Sequence, residues 1–179
     1  MIMFCMTKNY KITLRKLNLK KDISRRYQSW MNDYDVHKYT EQKYYKHSLA
    51  NIRKFVREKN NSKNEFLYGI FLKKNDLSIH IGNIKIGPIN FIHKNAELSY
   101  FIGEKKLWGK GYASLAIMEA VKIAKKMGIK KLKAGCYEKN IGSRKVLEKN
   151  KFKLEGKLKS EYVFMKKRTS QYLFGRILS

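Results

Sequence analysis

The chain has 179 residues, 43% of them hydrophobic and 13% aromatic, and carries 41 Lys plus Arg against 14 Asp plus Glu, for a formal net charge of +27. This apolar supply excludes a disordered chain, the length suits one domain over residues 1–179, and the positive field favours an anionic ligand. Two cysteines, Cys5 and Cys136, are too few for a disulfide framework, and the opening Met1-Ile2-Met3-Phe4-Cys5-Met6 is too short for a secretion signal. No stretch approaches the ~18 apolar residues of a membrane helix, so a cytoplasmic protein without membrane insertion is expected.

In chain order, Ile12-Thr13-Leu14-Arg15 alternates as a strand, and the stretch around Tyr27, Trp30 and Met31 reads as a short amphipathic helix. Ser48 is placed to cap a second helix, in which Leu49, Ile52, Phe55, Val56 and Lys59 share a face. Strands over 66–72, 78–86 and 96–102 follow as an antiparallel meander, with Lys73-Lys74-Asn75-Asp76 and Gly87-Pro88 as turn chemistry. The pattern then changes to helical spacing. Ala116, Ile117, Ala120, Val121, Ala124 and Met127 form an apolar stripe ending at Gly128, which predicts a helix over 113–127 with a left-handed cap. A strand over 129–136, a helix over 140–149 and strands over 152–158, 162–165 and 172–177 complete a mixed α/β chain. Its passage from 96 to 136 makes one parallel crossover.

The segment Trp108-Gly109-Lys110-Gly111-Tyr112-Ala113 joins that strand to that helix. Two glycines one residue apart, directly before a helix, let successive N–H groups face a pyrophosphate at the positive end of the helix dipole, and Lys110 adds a charge. A structural turn is the alternative. A P-loop would need Gly-Lys-Ser/Thr, and a dinucleotide fold a third glycine; neither is present.

This loop, preceded by Ala96-Glu97-Leu98-Ser99-Tyr100-Phe101-Ile102-Gly103 and followed by Asn140-Ile141-Gly142-Ser143 and Glu148-Lys149-Asn150-Lys151-Phe152, resembles the GNAT superfamily of N-acetyltransferases. Within it the segment is similar to the branch of the ribosomal-protein N-terminal (RimJ/RimL-like) acetyltransferases. The resemblance implies a mixed, mostly antiparallel central sheet flanked by helices, with a splayed strand pair that receives acetyl-CoA as co-substrate. Three positions depart from the pattern. Trp108 replaces the usual Gln or Arg, Asn150-Lys151 replaces a Gly that a left-handed Asn can stand in for, and Thr169-Ser170-Gln171-Tyr172 lacks the acidic residue common near the last strand.

Amide synthesis from a thioester needs a neutral amine, a stabilised oxyanion and a proton for the leaving thiolate. By resemblance, backbone N–H groups near Phe101 and Ile102 meet the acetyl oxygen, and Trp108 to Ala113 hold the pyrophosphate. Asn140 bonds the pantetheine amides or caps a helix, and Ser143 assists the thiolate or caps. The tyrosine often found beyond the Asn is absent, with Leu147 near its position. Glu97 is the candidate base, its alternative being an ion-paired strand residue. His80 and His93 lack a carboxylate partner in sequence and read as structural or solvent-facing. No metal site is expected, and transfer is direct.

The acceptor is read as a small-molecule primary amine, with a nucleotide-linked amino sugar bound beside Tyr34, Tyr39, Lys38 and Lys43, where aromatic faces and ammonium groups coincide; a tyrosine-rich lid packed on the core is the alternative reading of this segment. A protein N-terminus is the alternative. A basic RNA- or ribosome-binding module with a vestigial coenzyme site is a third reading, and a homodimer is compatible with each.

Overall fold

The computed structural model describes residues 11–75 and 77–178; Cys5 with the rest of the opening segment, and Asp76 of the first expected turn, lie outside the described residues. Seven strands form one sheet in the order β1-β2-β3-β4-β5-β7-β6. They are β1 (Lys11–Arg15), β2 (Phe66–Lys74), β3 (Leu77–Asn90), β4 (Asn95–Ile102), β5 (Lys131–Tyr137), β6 (Lys153–Phe164) and β7 (Lys167–Ile177). Every neighbouring pair is antiparallel except β4 and β5, which are parallel and joined through α4 (Tyr112–Lys126). The other helices are α1 (Arg25–Met31), α2 (Tyr34–His37), α3 (Leu49–Asn61) and α5 (Ile141–Lys149), with 3-10 turns at Glu41–Tyr44 and Lys105–Leu107. This is the mixed, mostly antiparallel sheet flanked by helices that the sequence implies. No helix among the described residues is long and apolar enough to cross a membrane.

The central strand β3 is buried on both faces over most of its length because helices cover both. The stripe Ala116, Ile117, Ala120, Val121 and Ala124 of α4 packs with Ile70, Ile84, Ile86, Leu98 and Leu132 on one face. Burial of Ile84 or Leu132, each at 0% exposure, contributes about 1.5–3 kcal/mol. On the other face, Tyr27 and Trp30 of α1 and Ile52 and Val56 of α3 pack with Leu67 and Phe71. The Ser48 cap forms as expected, its side chain accepting from Asn51 N, and α4 closes at Gly128 with Ile129 N donating to Ala124 O at 3.0 Å.

Four expectations need correction. Gly87-Pro88 is not a turn but lies inside β3, where the register against β4 shifts between Ile86 and Ile89. A Cβ at Gly87 would stand 2.4 Å from Asn64 O, so the close approach of the neighbouring chain, not a reversal, requires this glycine. The reversal comes four residues later, over 91–94. At the C-terminus the three short strands are one hairpin of two long ones, its irregularity between Leu158 and Tyr162 having read as a break. The strand expected from 129 starts at Lys131, because Ile129 is consumed in closing α4. Finally, the left-handed residue before Phe152 is Lys151 (φ 62), not Asn150. The buried Asn150 amide instead donates to Ser114 Oγ and Val146 O, both at 2.8 Å, tying the end of α5 to the start of α4.

Candidate active site

Parallel pairing between β4 and β5 runs only from Asn95 to Glu97 against Lys131 to Lys133; beyond that the strands diverge and leave a wedge. Gly103 N donates to Ile81 O at 2.9 Å, and with Gly82 opposite Ile102 this fixes the parity of the β3–β4 ladder. By alternation, the backbone groups of Phe101 turn to β3 and those of Tyr100 and Ile102 turn to the wedge. Ile102 O accepts the Trp108 indole N–H there at 2.7 Å. The N–H groups available on the free edge are therefore those of Tyr100 and Ile102, which corrects the expectation that Phe101 contributes one.

A cavity of about 580 Å³ opens from this wedge towards the start of α4 and α5. Gly109 (φ +74) and Gly111 (φ +83) form one wall, with no atom within 4 Å of where a Cβ would stand at either position. The glycines thus serve backbone conformation and leave the space in front of them open. Helix α4 begins at this point without a side-chain cap, whereas α1, α2, α3 and α5 are capped by Ser24, Asp33, Ser48 and Asn140. The first N–H groups of α4 are left to an outside acceptor, and a phosphate suits that end of the dipole. Lys145 and Lys149, one turn apart on α5, line the same cavity. The sequence reading missed both, although their i, i+4 spacing after Asn140 carries the signal. Tyr112 and Ala113 line the cavity as expected; Lys110 is exposed beside it. The donor set fits a coenzyme with a pyrophosphate and a 3′-phosphate.

Asn140 is the side-chain cap of α5, its Oδ1 accepting from Ser143 N at 3.1 Å. That assignment leaves the Ser143 hydroxyl free of capping. Its Oγ lies 3.0 Å from the hydroxyl of Tyr100, a β4 residue that the sequence reading passed over. Burial pushes the Tyr100 phenol up to about 12, with the Ser143 hydrogen bond opposing the shift, so it keeps its proton at neutral pH. Leu147, at the position where a tyrosine is often found, is fully buried core. Cys136, also buried, is a free thiol pushed up to about 11 by its burial.

A second cavity of about 400 Å³ lies on the other side of β4, under α1 and α3. Thr40, Tyr100 and Phe101 line both cavities and form the wall between them. Lys59 and Lys85 border the second cavity and share Glu65 as a salt-bridge partner, Lys85 at 2.6 Å. No carboxylate is among its lining residues as far as the described residues go. His37, buried against Phe101 with ring centroids 4.9 Å apart, completes this side.

The residues expected to meet the acceptor are divided by the fold. Lys38 and Tyr39 line the coenzyme-side cavity, Lys38 paired with Asp35 and Tyr39 stacked on Phe164 at 5.0 Å. Tyr34 is exposed and lines neither cavity. The Lys43 ammonium sits among the rings of Tyr137, Tyr44 and Phe164 at 4.7, 4.8 and 5.6 Å and contacts Tyr137 OH at 3.1 Å. Tyr44 OH donates to Val163 O, and Tyr137 OH donates to Glu41 at 2.8 Å, so this seam fastens the turn at Glu41–Tyr44 to β5 and β6. Glu97 is exposed at the last paired position of β4 and lines neither cavity. His80 is buried between Tyr27, Trp30 and Phe71 with Nε2 2.8 Å from Asn83 Oδ1, and His93 is exposed in the β3–β4 turn.

A family model described as an acetyltransferase (GNAT) domain matches residues 11–153. Among curated proteins, an uncharacterized protein of Methanocaldococcus jannaschii is 33% identical over 84 residues, 47% of this chain; the match covers 17% of that relative's length. Among solved structures, spermidine N-acetyltransferase from Vibrio cholerae, in complex with CoA and spermine, superposes with a TM-score of 0.81 at 20% identity, over 94% of this chain and 96% of that one. An acetyltransferase from Salmonella typhimurium that modifies the N-terminal serine of ribosomal protein L7/L12 superposes with a TM-score of 0.78 at 20% identity, over 94% and 96% of the two chains. Likeness at these identities establishes a shared fold.

Proposed function

The chain belongs to the GNAT acetyltransferase family; we propose that it is an acetyl-CoA-dependent N-acetyltransferase that passes the acetyl group directly to a primary amine across the wall of Thr40, Tyr100 and Phe101. That shared wall carries the reading, because a reaction between two bound substrates needs their reacting groups held side by side, and two adjoining cavities can do this. Acetyl-CoA, when bound, supplies the thioester. In this reading the peptide N–H groups around Gly109 to Ala113, with Lys145 and Lys149, hold its phosphates, and the Asn140 side chain lies beside its pantetheine arm. The free-edge N–H groups of Tyr100 and Ile102 receive the acetyl oxygen, where preorganised donors lower the barrier most. The Ser143 hydroxyl, backed by Tyr100, gives a proton to the departing sulfur. A cytoplasmic setting, with Cys136 as a free thiol, belongs to the same proposal.

For the acceptor, we infer an amine that also carries an anionic group, with a nucleotide-linked amino sugar as the form to test first. Support comes from the second cavity, where the ammonium groups of Lys59 and Lys85 share the one carboxylate of Glu65, which leaves a net positive charge, and where no carboxylate is among the described lining residues. A polyamine, the ligand of the Vibrio neighbour, meets no unpaired carboxylate on that lining. The cavity holds a sugar-sized group, and a diphosphate would extend from it. A protein N-terminus is the second reading, in keeping with the Salmonella neighbour. The deciding experiment compares UDP-linked amino sugars, free-N-terminus peptides and spermidine at fixed acetyl-CoA by thiol release. Turnover of the sugar nucleotides with none of spermidine supports the first reading. Preference for peptides moves the assignment to the second, and preference for spermidine overturns both.

A further inference from the structure

We propose that the imidazole of His37, through its Nε2 lone pair, accepts a hydrogen bond from the amine of the acceptor substrate. The proposal rests on the reading of the 400 Å³ cavity as the acceptor site.

The tautomer follows from the neighbouring hydroxyl. Thr40 Oγ1 lies 3.1 Å from the backbone O of His37 and 3.1 Å from His37 Nδ1. The two contacts are both hydrogen bonds only when the Thr40 hydroxyl gives its one proton to the carbonyl, which also accepts from Thr40 N at 2.8 Å. In that arrangement Nδ1 carries the ring hydrogen and donates it to Oγ1. In a neutral imidazole with hydrogen on Nδ1, Nε2 is a bare lone pair. That nitrogen is buried and has no hydrogen-bond partner among the described residues. A buried acceptor left bare lowers stability, and such a group in a native fold marks a place where a ligand or water completes the bond.

Position and chemistry point the same way. His37 is one of the residues lining the cavity, and its neighbours Thr40 and Phe101 both belong to the partition that the cavity shares with the coenzyme side. An amine held at Nε2 therefore lies next to β4, whose opposite edge faces the wedge. The ammonium groups of Lys59 and Lys85 on the same cavity can only donate, and Asn83 Oδ1 is already engaged by His80. An amine entering here needs an acceptor, and burial keeps the His37 ring neutral so that it can serve as one.

Two near-isosteric variants separate this role from a structural one. His37→Asn keeps an amide nitrogen where Nδ1 meets Thr40 but removes Nε2; His37→Gln carries its polar end to the place of Nε2. Both are assayed with a UDP-linked amino sugar and, in parallel, with a free-N-terminus peptide. The expected result is a fall in acceptor kcat/KM on the order of 2- to 10-fold for His37→Asn, the range for a hydrogen bond between neutral groups. Partial recovery is expected in His37→Gln, with acetyl-CoA affinity unchanged in both. Parent-like turnover by His37→Asn, or equal impairment of the two variants, overturns the proposal. Nitrogen-15 NMR of the parent's imidazole decides the tautomer with no acceptor present, and hydrogen on Nε2 would also overturn it. Ser99→Trp, which fills the cavity from β4, tests the underlying reading separately: an unchanged acceptor KM in that variant removes the cavity's assignment whatever happens at His37.

Discussion

The phenolic oxygen of Tyr100 stands 3.0 Å from Ser143 Oγ and 3.3 Å from the Ser143 carbonyl, linking the free edge of β4 to the first turn of α5 across the wedge. Ser143 N in turn donates to Asn140, so one hydrogen-bonded line runs from the strand through the serine to the helix cap. The line places two hydroxyls, and no carboxylate, on the side where a leaving thiolate would need a proton.

Ser143→Ala should therefore lower kcat by about 10²-fold, the scale of a lost general acid, with melting temperature nearly unchanged because Asn140 and not Ser143 caps the helix. Tyr100→Phe should cost less, since Ser143 keeps its own hydroxyl. Thiol release under saturating substrates measures both. A larger loss in Tyr100→Phe would transfer the donor's role to the tyrosine, and parent-like turnover in both would refute a hydroxyl relay.

Gly111→Val should abolish the thermal shift produced by acetyl-CoA. Nothing lies within 4 Å of the missing Cβ, so the effect comes from φ +83, a left-handed conformation that costs a non-glycine residue about 1–2 kcal/mol and more for a β-branched one. The loop is expected to change course and withdraw its N–H groups. A variant that still shows the parent's shift would place the phosphate contacts elsewhere.

The double variant Lys145→Ala, Lys149→Ala should raise the acetyl-CoA KM about 3- to 10-fold at low salt, and the difference should shrink as salt rises, because both ammonium groups are exposed and screened. The acceptor KM should stay put. Insensitivity of the coenzyme KM at low ionic strength would remove these lysines from the phosphate contacts.

Stability should fall on mild acidification. Burial, with a smaller repulsion from His47 and an opposing attraction from Asp33, lowers the His37 pKa from the ordinary 6.5 to about 4. Between those values the unfolded chain holds a proton that the folded one refuses. The stabilisation is complete above pH 6.5 and is lost as pH falls towards 4, to a total of about 3 kcal/mol. His80, lowered chiefly by burial, adds in the same direction. The paired carboxylates Asp22 and Glu65 are held below their usual range and contribute only at lower pH. The melting temperature at pH 5 should lie below that at pH 7.5, by a smaller margin in His37→Asn. An identical margin in that variant would exclude His37 as the group responsible.

What could be read from the sequence was local. The loop from Trp108 to Ala113 and the helix behind it were legible because glycine spacing and the apolar stripe are properties of neighbouring residues. The wedge entered only through family resemblance, since no periodicity reveals where a parallel pair stops pairing. The roles of Tyr100 and His37 were not legible for a related reason. The partner of Tyr100 is 43 positions away, and the bare nitrogen of His37 depends on how α2 meets Phe101 of β4. Gly87-Pro88 misled because its turn chemistry is indistinguishable in sequence from a close approach made by Asn64. The C-terminal hairpin was read as fragments because nearly all of β6 is exposed at the sheet edge, which erases the alternation that marks a strand.

The seam around Lys43 also bears on the order in which the molecule assembles. Its contacts join residues separated by 94 positions at Tyr137 and about 120 at Val163, so the ring cluster cannot close until β5, β6 and β7 are already in place. Loop-closure entropy makes such a junction a late event in folding, while α4 and the β2–β3–β4 meander, built from short-range contacts, form earlier. Few buried groups hold the seam, and Tyr44 and Glu41 are exposed. By the same token it opens at low free-energy cost, well before the sheet does. Hydrogen exchange should find the amides of Gln42 to Tyr45 far less protected than those of β3.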